Sequence, residues 1–431
     1  MNQIQLAKGT RDIAPSDKLL KNQVVSTLQK IFELYGFMPL ETPILERYET
    51  LAAKFAAGEA SDALKEIFRL NDQGDRDLGL RFDLTVPLAR YVAMNPTLKM
   101  PFKRYAVGEV FRDGPIKLGR YREFWQMDID TVGTGSMLAD AEIITMTAAA
   151  FQKFNLNIKI KVNNRKVLNG ILEQAGIQEK EQAIIAIDKL DKIGVEGVTT
   201  ELKERGYSKQ QIESVFSFIS AKTTLSQLQK KITTAEGKEG LQELQEVFFY
   251  LKSMKISQAI FDVSLARGLA YYTGTVFEAY LPKGAVASSL AGGGRYDNLI
   301  GNYLGGGRII PAVGISFGLE PIMDTLKALG QQEQKSTAKV LVIPINTIAE
   351  SLALLQELRT AGIPTDIAIG KKGVSKNLEY ASSLGIPYVI ILGEQEVKKK
   401  KVLLRDMKSG METLLSLKTV IQRLTGKESQ K

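Results

Sequence analysis

Four basic residues cluster on one short stretch of the chain. Arg112, Lys117, Arg120 and Arg122 lie in or beside Asp113–Gly119, which contains two glycines and one proline and is therefore expected to form a loop. Fixed positive charges gathered in this way are suited to holding a polyphosphate. The loop is a candidate binding site.

The segments on both sides of this loop, Lys103–Arg112 and Tyr121–Asp130, are rich in aromatic and β-branched residues and predict a β-hairpin with a long tip. Side chains of a strand alternate between its two faces. One face of the second strand then carries a ring and three polar groups: Phe124, Gln126, Asp128 and Asp130. Because buried polar groups need partners, this face is either a site for a flat base, a phosphate and a small polar substrate, or a solvated edge.

A second group of candidate residues lies where a strand-like pattern that resumes at Ile260 is broken at Arg267 and Gly268, with Tyr271 and Tyr272 close behind. Arginine and tyrosine side chains beside a glycine in a connecting segment often mark a ligand site. The alternative is a structural arginine that pairs with a buried carboxylate.

The 431 residues include no cysteine and no histidine. This composition excludes a thiolate nucleophile, a disulfide bond, a Cys/His zinc cluster and general acid–base catalysis by a protein imidazole. Any reaction must therefore use arginine, lysine, carboxylate or tyrosine side chains, bound Mg²⁺, or the phosphates of the substrate.

Charge and hydropathy indicate where the protein acts. No apolar run approaches a membrane span, and the N-terminus lacks the apolar core of a signal peptide, so a cytosolic protein without a membrane partner is expected. The net charge is +9, and residues 338–431 hold 15 Lys and Arg against 9 Asp and Glu. This excess indicates a polyanionic partner, or it serves solubility alone. The run Lys398–Lys401 is either an RNA contact or a charged guard of a sheet edge.

Sequence pattern divides the chain into domains. Residues 1–163 and 258–330 mix strand and helix patterns, whereas residues 164–257 are helical and charged and are interpreted as an inserted helical domain or a solvated cap without ligand contact. Residues 331–337 form a polar linker. Residues 338–431 alternate strand and helix, which predicts an α/β unit with a mostly parallel sheet.

Several local elements are predicted as well. Phe37–Pro43 forms a strand, Leu80–Leu84 pairs with Phe68–Leu70, a helix resumes after Pro87, and a final helix covers Glu412–Leu424. The strand at Leu80–Leu84 places three side chains on one face: Arg81, Asp83 and Thr85.

Two glycine runs, Ala291–Asp297 and Leu304–Arg308, lie beyond the tyrosine pair. Neither matches the phosphate-binding pattern GxxxxGK[ST] or the strand–GxGxxG–helix order of a dinucleotide fold. They are predicted to be tight turns where the backbone approaches a ligand. Val313–Phe317 is predicted as a strand that leads into a helix over Leu319–Leu329.

Taken together, these residues resemble the class II aminoacyl-tRNA synthetases and, within that class, the histidyl-tRNA synthetase family, over essentially the whole chain. The segments that resemble family motifs are Lys8–Pro15 (N-terminal signature), Gly36–Pro43 (motif 1, a dimer element), Phe111–Asp130 (motif 2 in its archaeal-type form), Leu265–Gly274 (histidine-specific motif) and Pro311–Glu320 (motif 3). The resemblance implies an α+β fold in which an antiparallel sheet is flanked by helices. A helical insertion would interrupt this catalytic core, and residues 338–431 would form a C-terminal α/β anticodon-binding domain.

The resemblance also implies a reaction: a homodimer would activate histidine with ATP and Mg²⁺ as histidyl-adenylate, then transfer it to the 3′ end of tRNA(His). The histidine-binding residues implied are Asp83, Thr85 and Gln126 for the α-amino group, and Asp130, Tyr271, Tyr272 and Tyr296 on the imidazole side. Those implied for ATP are Phe124 for adenine, Arg112 and Arg267 for the α-phosphate and catalysis, and Arg120 for the distal phosphates. No residue is assigned as a metal ligand.

Two positions depart from the family pattern. Pro321 stands where motif 3 usually has an arginine that clamps ATP, and Ala270 stands where the histidine motif usually has aspartate. The alternative function is that of a catalytically inactive paralogue, the regulatory subunit of ATP phosphoribosyltransferase. Such paralogues typically lack the anticodon domain and the arginine of the histidine motif. Arg267 and residues 338–431 are both present, so the active ligase is favoured.

Overall fold

The computed structural model describes residues 4–53, 62–116, 121–219, 223–267, 271–282, 289–305, 307–331, 334–370 and 373–426. The chain divides into two compact units, one formed by residues 1–11 and 24–329 and the other by residues 12–23 and 330–431. No helix in the described ranges is long and apolar enough to cross a membrane.

A mixed sheet forms the centre of the first unit. Its strands are β1 (Met38–Pro39), β5 (Phe102–Phe111), β6 (Glu123–Val132), β7 (Lys159–Asn164), β8 (Ala259–Phe261), β9 (Thr275–Tyr280), β10 (Ala291–Arg295) and β11 (Ala312–Gly318). They lie in the order β1–β5–β6–β11–β10–β9–β7–β8. Neighbours are antiparallel except at the two edges, where β1 is parallel to β5 and β7 is parallel to β8. The α+β class expected from the sequence is confirmed.

Helices and a small second sheet surround these strands. The small sheet contains β2 (Leu45–Arg47), β3 (Arg69–Asn71) and β4 (Asp77–Leu80). The helices around the large sheet are α1 (Pro15–Leu34), α2 (Tyr48–Ala52), α3 (Asp62–Lys65), α4 (Thr85–Met94), α5 (Met137–Lys153), α12 (Leu299–Leu304) and α13 (Leu319–Ala328). Between β7 and β8 the chain forms α6 (Arg165–Gln174), α7 (Lys180–Ile187), α8 (Leu190–Glu204), α9 (Lys209–Phe218), α10 (Leu225–Lys231) and α11 (Ala235–Ser253).

One face of the large sheet is apolar and fixes how the strands lie. The ring of Phe317 in β11 packs against Phe32 of α1 and Phe151 of α5, at centroid distances of 5.4 and 5.7 Å. Met127 and Ile129 of β6 are fully buried, and Met127 lies opposite Phe317 in the strand register. Each such side chain contributes about 1.5–3 kcal/mol by burial. A register shift of one residue would expose this whole set to solvent.

The opposite face of β6 therefore carries the polar residues. Because β6 lies between β5 and β11, it is an internal strand. Asp128 and Asp130 are almost completely buried there. The interpretation of this face as a solvated edge is wrong, and the alternation predicted from the sequence is confirmed.

The second unit contains a five-stranded sheet in the order β13–β12–β14–β15–β16, made of β12 (Val340–Ile345), β13 (Thr365–Ile367), β14 (Tyr388–Gly393), β15 (Val402–Asp406) and β16 (Glu412–Leu415). Its helices are α14 (Ile348–Thr360), α15 (Val374–Ser383), α16 (Glu394–Lys398) and α17 (Leu417–Thr425). Only β13–β12–β14 is parallel, so a mostly parallel sheet was too simple a prediction.

The predicted final helix over Glu412–Leu424 is partly wrong. Glu412–Leu415 pairs with β15 as strand β16. Helix α17 begins only after Ser416, whose side chain accepts a hydrogen bond from the backbone N–H of Thr419. A serine N-cap of this kind is the signal that marks where the helix starts.

Candidate active site

Strand register aligns two rows of residues across the polar face of the sheet. The first row is Glu278, Gly292, Ser316, Asp128 and Ala106. The second is Val276, Gly294, Gly314, Asp130 and Arg104. Gly292 in the first row and Gly294 and Gly314 in the second have no side chain, so the side chains of Arg267, Tyr272 and Asp130 lie directly against the sheet there.

Strand β10 is built mainly from glycines, so the prediction of a tight turn at Ala291–Asp297 is wrong. A Cβ on Gly293 would lie 2.0 Å from the backbone oxygen of Gly314. A Cβ on Gly294 would lie 2.9 Å from the ring of Tyr272. These glycines permit close packing of neighbouring strands and side chains, which a sequence pattern does not distinguish from a turn.

Arg267 lies above this glycine floor. Its Nη1 is 3.6 Å from the carboxylate of Glu278, and its guanidinium lies 5.9 Å from the centre of the Tyr272 ring. The Glu278 side chain retains 29% of its exposure, so Arg267 does not serve to neutralise a fully buried carboxylate. Its φ of 34° lies in the left-handed region, a strained conformation that is found most often at functional sites. Ala270 lies outside the described residues.

Among the described members of the predicted basic cluster, Arg112 lines a cavity on the polar face of the sheet. Its Nε donates to the carbonyl of Phe82 at 3.1 Å, and its guanidinium lies 5.0 Å above the ring of Phe124. Arg122 instead pairs with Asp113 at 3.0 Å. Lys117 and Arg120 lie outside the described residues.

Asp83 lies at the start of helix α4. Its Oδ1 accepts hydrogen bonds from the backbone N–H groups of Thr85 and Val86, at 3.1 and 2.9 Å. The predicted strand over Leu80–Leu84 is therefore wrong, because β4 ends at Leu80. The helix begins at Thr85 and not after Pro87, since a proline in the first helical turn removes no required hydrogen bond.

Arg81 does not share a face with Asp83, contrary to the prediction. It is buried, and it donates to the carbonyls of Glu109 and Thr42 at 2.8 Å each. Its role is to tie the segment before α4 to the hairpin.

Asp130 is the centre of a buried charged cluster. Its Oδ2 lies 2.7 Å from Nη2 of Arg104, which is fully buried, and its Oδ1 accepts a short hydrogen bond from the Tyr296 hydroxyl. Burial raises the pKa of Asp130, whereas Arg104 and Tyr296 oppose this rise. Burial and the neighbouring carboxylate raise the pKa of Tyr296, so it stays a hydrogen-bond donor.

Two tyrosines form the opposite wall. The hydroxyl of Tyr271 donates to that of Tyr272 at 3.3 Å, and the two ring centres are 4.5 Å apart. The ring of Tyr271 also meets Tyr296 edge-on at 6.2 Å. Burial raises the pKa of Tyr271, so this wall remains uncharged near neutral pH.

These side chains enclose three connected spaces. The outer cavity, of about 510 Å³, is lined among others by Asp83, Thr85, Arg112, Gln126, Asp128 and Arg267. The inner recess, of about 40 Å³, is lined by Asp128, Asp130, Tyr271, Tyr272 and Tyr296 together with the glycines. The apolar side cavity, of about 180 Å³, includes Pro115, Tyr121, Phe124 and Pro321. The described residues predicted as site residues thus converge on one region of the sheet.

Several polar lining residues, among them Asp128, Ser316 and Glu278, were absent from the predicted site. Asp128 and Ser316 line both the outer cavity and the inner recess, and Glu278 lines the outer cavity. Asp128 could have been found, because alternation already placed it between Gln126 and Asp130. Ser316 and Glu278 follow only from the register of strands distant in sequence.

Comparison with known proteins identifies the family. The family model described as histidyl-tRNA synthetase matches residues 9–322. The chain belongs to the histidyl-tRNA synthetase family. A model described as an anticodon binding domain matches residues 339–427.

Individual proteins agree with this family. "Histidine--tRNA ligase 1" of Bacillus cereus is 43% identical over 420 residues, covering 96% of this chain and 95% of that protein. The crystal structure of histidyl-tRNA synthetase from Nostoc sp. PCC 7120 superimposes with a TM-score of 0.86 at 30% identity, covering 99% and 100% of the two chains.

A further similar structure is that of an ATP phosphoribosyltransferase regulatory subunit/histidyl-tRNA synthetase from Bacillus halodurans C. It superimposes with a TM-score of 0.73 at 23% identity and covers 90% of this chain and 98% of its own. At this identity the likeness shows the shared fold alone.

Proposed function

We propose that this protein is a histidine–tRNA ligase, which activates histidine with ATP and transfers it to the 3′ end of tRNA(His). One observation carries the proposal: Arg112 and Arg267 line the same cavity as the acidic floor that contains Asp83 and Asp128. Cations and carboxylates around one space suit a substrate that brings both an ammonium group and a phosphate.

Adenylation needs little from the side chains except positioning and charge. A carboxylate oxygen of histidine attacks the α-phosphorus of ATP, the bond from that phosphorus to the bridging oxygen breaks, and pyrophosphate leaves. The attacking carboxylate is already deprotonated, so this step requires no general base. Arg112 and Arg267 would bind the oxygens of the α-phosphate, where negative charge is crowded in the transition state. This chemistry suits a chain without histidine.

The inner recess would hold the imidazole of the substrate. Asp130 would accept a hydrogen bond from a ring N–H, with Tyr272 and Tyr296 beside it and Tyr271 behind them. Arg104, at 2.7 Å, favours the ionised form of Asp130 and opposes the rise in its pKa that burial causes. A site built around such a bond rejects substrates that lack the donor by up to about 10⁴. Thr85, Gln126 and Asp83 would hold the α-amino group on the outer side.

The apolar side cavity would take the adenine ring. Phe124 offers a flat surface, and Pro321 provides an uncharged wall in place of the usual arginine. Arg120 would bind the distal phosphates.

Mg²⁺ would enter with ATP. Within the described ranges, no group of three or more acidic residues could hold a metal ion by itself. Mg²⁺ commonly binds substrate phosphates, waters and one or two carboxylates, and Glu66 and Glu278 line the outer cavity and fit that role. When bound, the ion would neutralise phosphate charge.

The remaining parts would serve tRNA and assembly. We propose residues 1–163 and 258–330 as the catalytic core, 164–257 as a helical insertion, 331–337 as a linker and 338–431 as the anticodon-binding domain. The match of residues 339–427 to an anticodon-binding model supports the last assignment. The net basic charge of residues 338–431 suits RNA. The protein would act in the cytosol.

A homodimer is the proposed assembly. Leu34, Met38, Ile44 and Leu45 are exposed apolar residues in and beside the motif 1 segment, which suits a subunit interface. Light scattering should give twice the mass of one chain, and Leu45→Glu should reduce it towards that of one chain.

Amino-acid-dependent pyrophosphate exchange tests the ligase directly. Exchange should require histidine and fail with other amino acids. Arg267→Ala should lower the rate by about 10²–10³ with little change in histidine affinity, because the lost contact acts mainly in the transition state. A folded wild-type protein without exchange would refute the ligase in favour of the regulatory paralogue.

A further inference from the structure

Asp128 is a buried carboxylate of the acidic floor, and the residue roles proposed above assign it no contact with a particular substrate group. Its side chain lies on the polar face of β6, is 3% exposed, and lines both the outer cavity and the inner recess. No described residue donates a hydrogen bond to its Oδ1. Buried carboxylates are normally paired, so an unpartnered oxygen at the junction of two cavities indicates a ligand that supplies the donor.

The charges around Asp128 favour the binding of a cation beside it. Asp130 follows on the same strand, and Asp83 faces it from the segment before α4. Arg104 of β5 is the nearest opposite charge, but it already pairs with Asp130 at 2.7 Å. Ser316, opposite on β11, is uncharged, and a hydrogen bond from its hydroxyl lowers the pKa of Asp128 less than Arg104 does. Among more distant groups, Arg81 binds backbone carbonyls and Tyr271 stays neutral.

The neighbouring acceptors show which part of an amino acid would lie here. Oδ1 of Asp83 is already occupied by two backbone N–H groups of helix α4. Oε1 of Gln126, on the same face of β6, is buried and has no partner among the described residues. An ammonium group has three N–H donors. The oxygens of Gln126 and Asp128, with the hydroxyl of Thr85 on the same cavity wall, would provide three acceptors.

We propose that Asp128 binds the α-ammonium group of the amino-acid substrate and adds its negative charge to that of Asp83 beside this group. The inference rests on the proposed ligase function and adds a residue to its substrate site. The imidazole has its own partner, Asp130, deeper in the recess.

A proton would be released when this contact forms. Burial is the main cause that raises the pKa of Asp128 to about 7 in the free protein, with Arg104 opposing and Asp130 adding to the rise. The carboxyl is then about half protonated at pH 7, and a bound ammonium would favour its ionised form. The proton released by Asp128 leaves to the buffer.

Titration calorimetry at pH 7 in two buffers of different ionisation enthalpy tests both the contact with the ammonium group and the release of the proton. The ligands are histidine, histidinol, which keeps the ammonium group, and imidazolepropionic acid, which lacks it. Asp128→Asn should weaken histidine and histidinol about 10- to 100-fold, the value of one charged hydrogen bond. It should change imidazolepropionic acid less than about threefold. Glu379→Gln, which also converts a carboxylate to an amide but at an exposed position of helix α15, is the matched control.

The imidazole of the substrate itself titrates near pH 6.5 and could also release a proton on binding. The number of protons released by wild type and by Asp128→Asn is therefore compared. That ring contributes equally in both proteins, so wild type should release about half a proton more than Asp128→Asn on histidine binding. Equal proton release, or an equal loss of affinity for imidazolepropionic acid, would overturn the assignment. If wild type binds no histidine, the proposed function itself fails, which is a different outcome.

Discussion

The guanidinium of Arg267 lies so close to Gly292 that a Cβ at this glycine would come within 2.0 Å of Nη1. Because Gly292 has no side chain, the guanidinium of Arg267 can lie directly against strand β10. Because Arg267 is also 3.6 Å from Glu278, which pairs with Gly292 in the register, its position depends on two neighbouring strands.

Gly292→Ala should displace Arg267 without unfolding the protein. A displacement of about 1 Å at a catalytic group can cost about 10²-fold in rate, so kcat for pyrophosphate exchange should fall by about 10- to 100-fold. The KM for histidine should change less than threefold, since the proposed partner of Arg267 is the α-phosphate of ATP. Gly135→Ala is the control, because a Cβ there would meet no atom within 4 Å. Normal kcat in Gly292→Ala would contradict this role of the glycine.

Asp130→Asn should destabilise the fold by about 3–5 kcal/mol, because it leaves the buried charge of Arg104 without a partner. Tyr296→Phe removes a single donor to the same carboxylate and should cost about 1 kcal/mol. Urea unfolding of the two variants at pH 7 measures both values. Equal losses would mean that the ion pair between Arg104 and Asp130 contributes no more than the tyrosine.

Asp128→Asn should stabilise the protein at high pH. The pKa of Asp128 is raised to about 7 in the folded state, against 3.8 as its ordinary value. The folded protein binds this proton more tightly, so the contribution of Asp128 to stability is largest below about pH 4 and is lost as the pH rises through about 7. Asparagine has no such penalty, so the variant should match wild type near pH 4 and exceed it at pH 8 by on the order of 2–4 kcal/mol. A pH-independent difference would contradict the shifted pKa.

Arg11→Leu should weaken ATP binding, although Arg11 itself does not line the side cavity proposed for adenine. The guanidinium of Arg11 lies 3.9 Å above the ring of Tyr121 and 3.9 Å from Glu320, and both of these residues line the side cavity. Loss of this cation–π contact, worth about 0.5–2 kcal/mol, should raise the KM for ATP about 2- to 30-fold and leave the KM for histidine unchanged. Arg11→Lys keeps the charge and should give a smaller effect. A rise in both KM values would indicate a general loss of structure.

Local patterns were sufficient to predict part of the site. The alternation of residue types with a period of two predicts the polar face of β6. The change from strand periodicity to helix periodicity predicts that β11 leads into α13. Both signals lie within about ten residues of sequence and depend on no distant partner.

The remaining features depend on distant residues. Arg104 lies directly opposite Asp130, but the register of a hairpin with so long a tip does not follow from its sequence. The sequence predicts turns at the glycines of β10, because the side chains that cover them belong to Arg267 and Tyr272 in another segment. It predicts a strand at Asp83, because an aspartate before a helix and a strand residue look alike until the start of the helix is known.

Pro321 gives the apolar side cavity a neutral, rigid wall against Gly318. A flat compound that packs against this wall would gain contact with the proline ring. Pro321→Arg would replace that ring with a flexible cation and should confer resistance to such a compound.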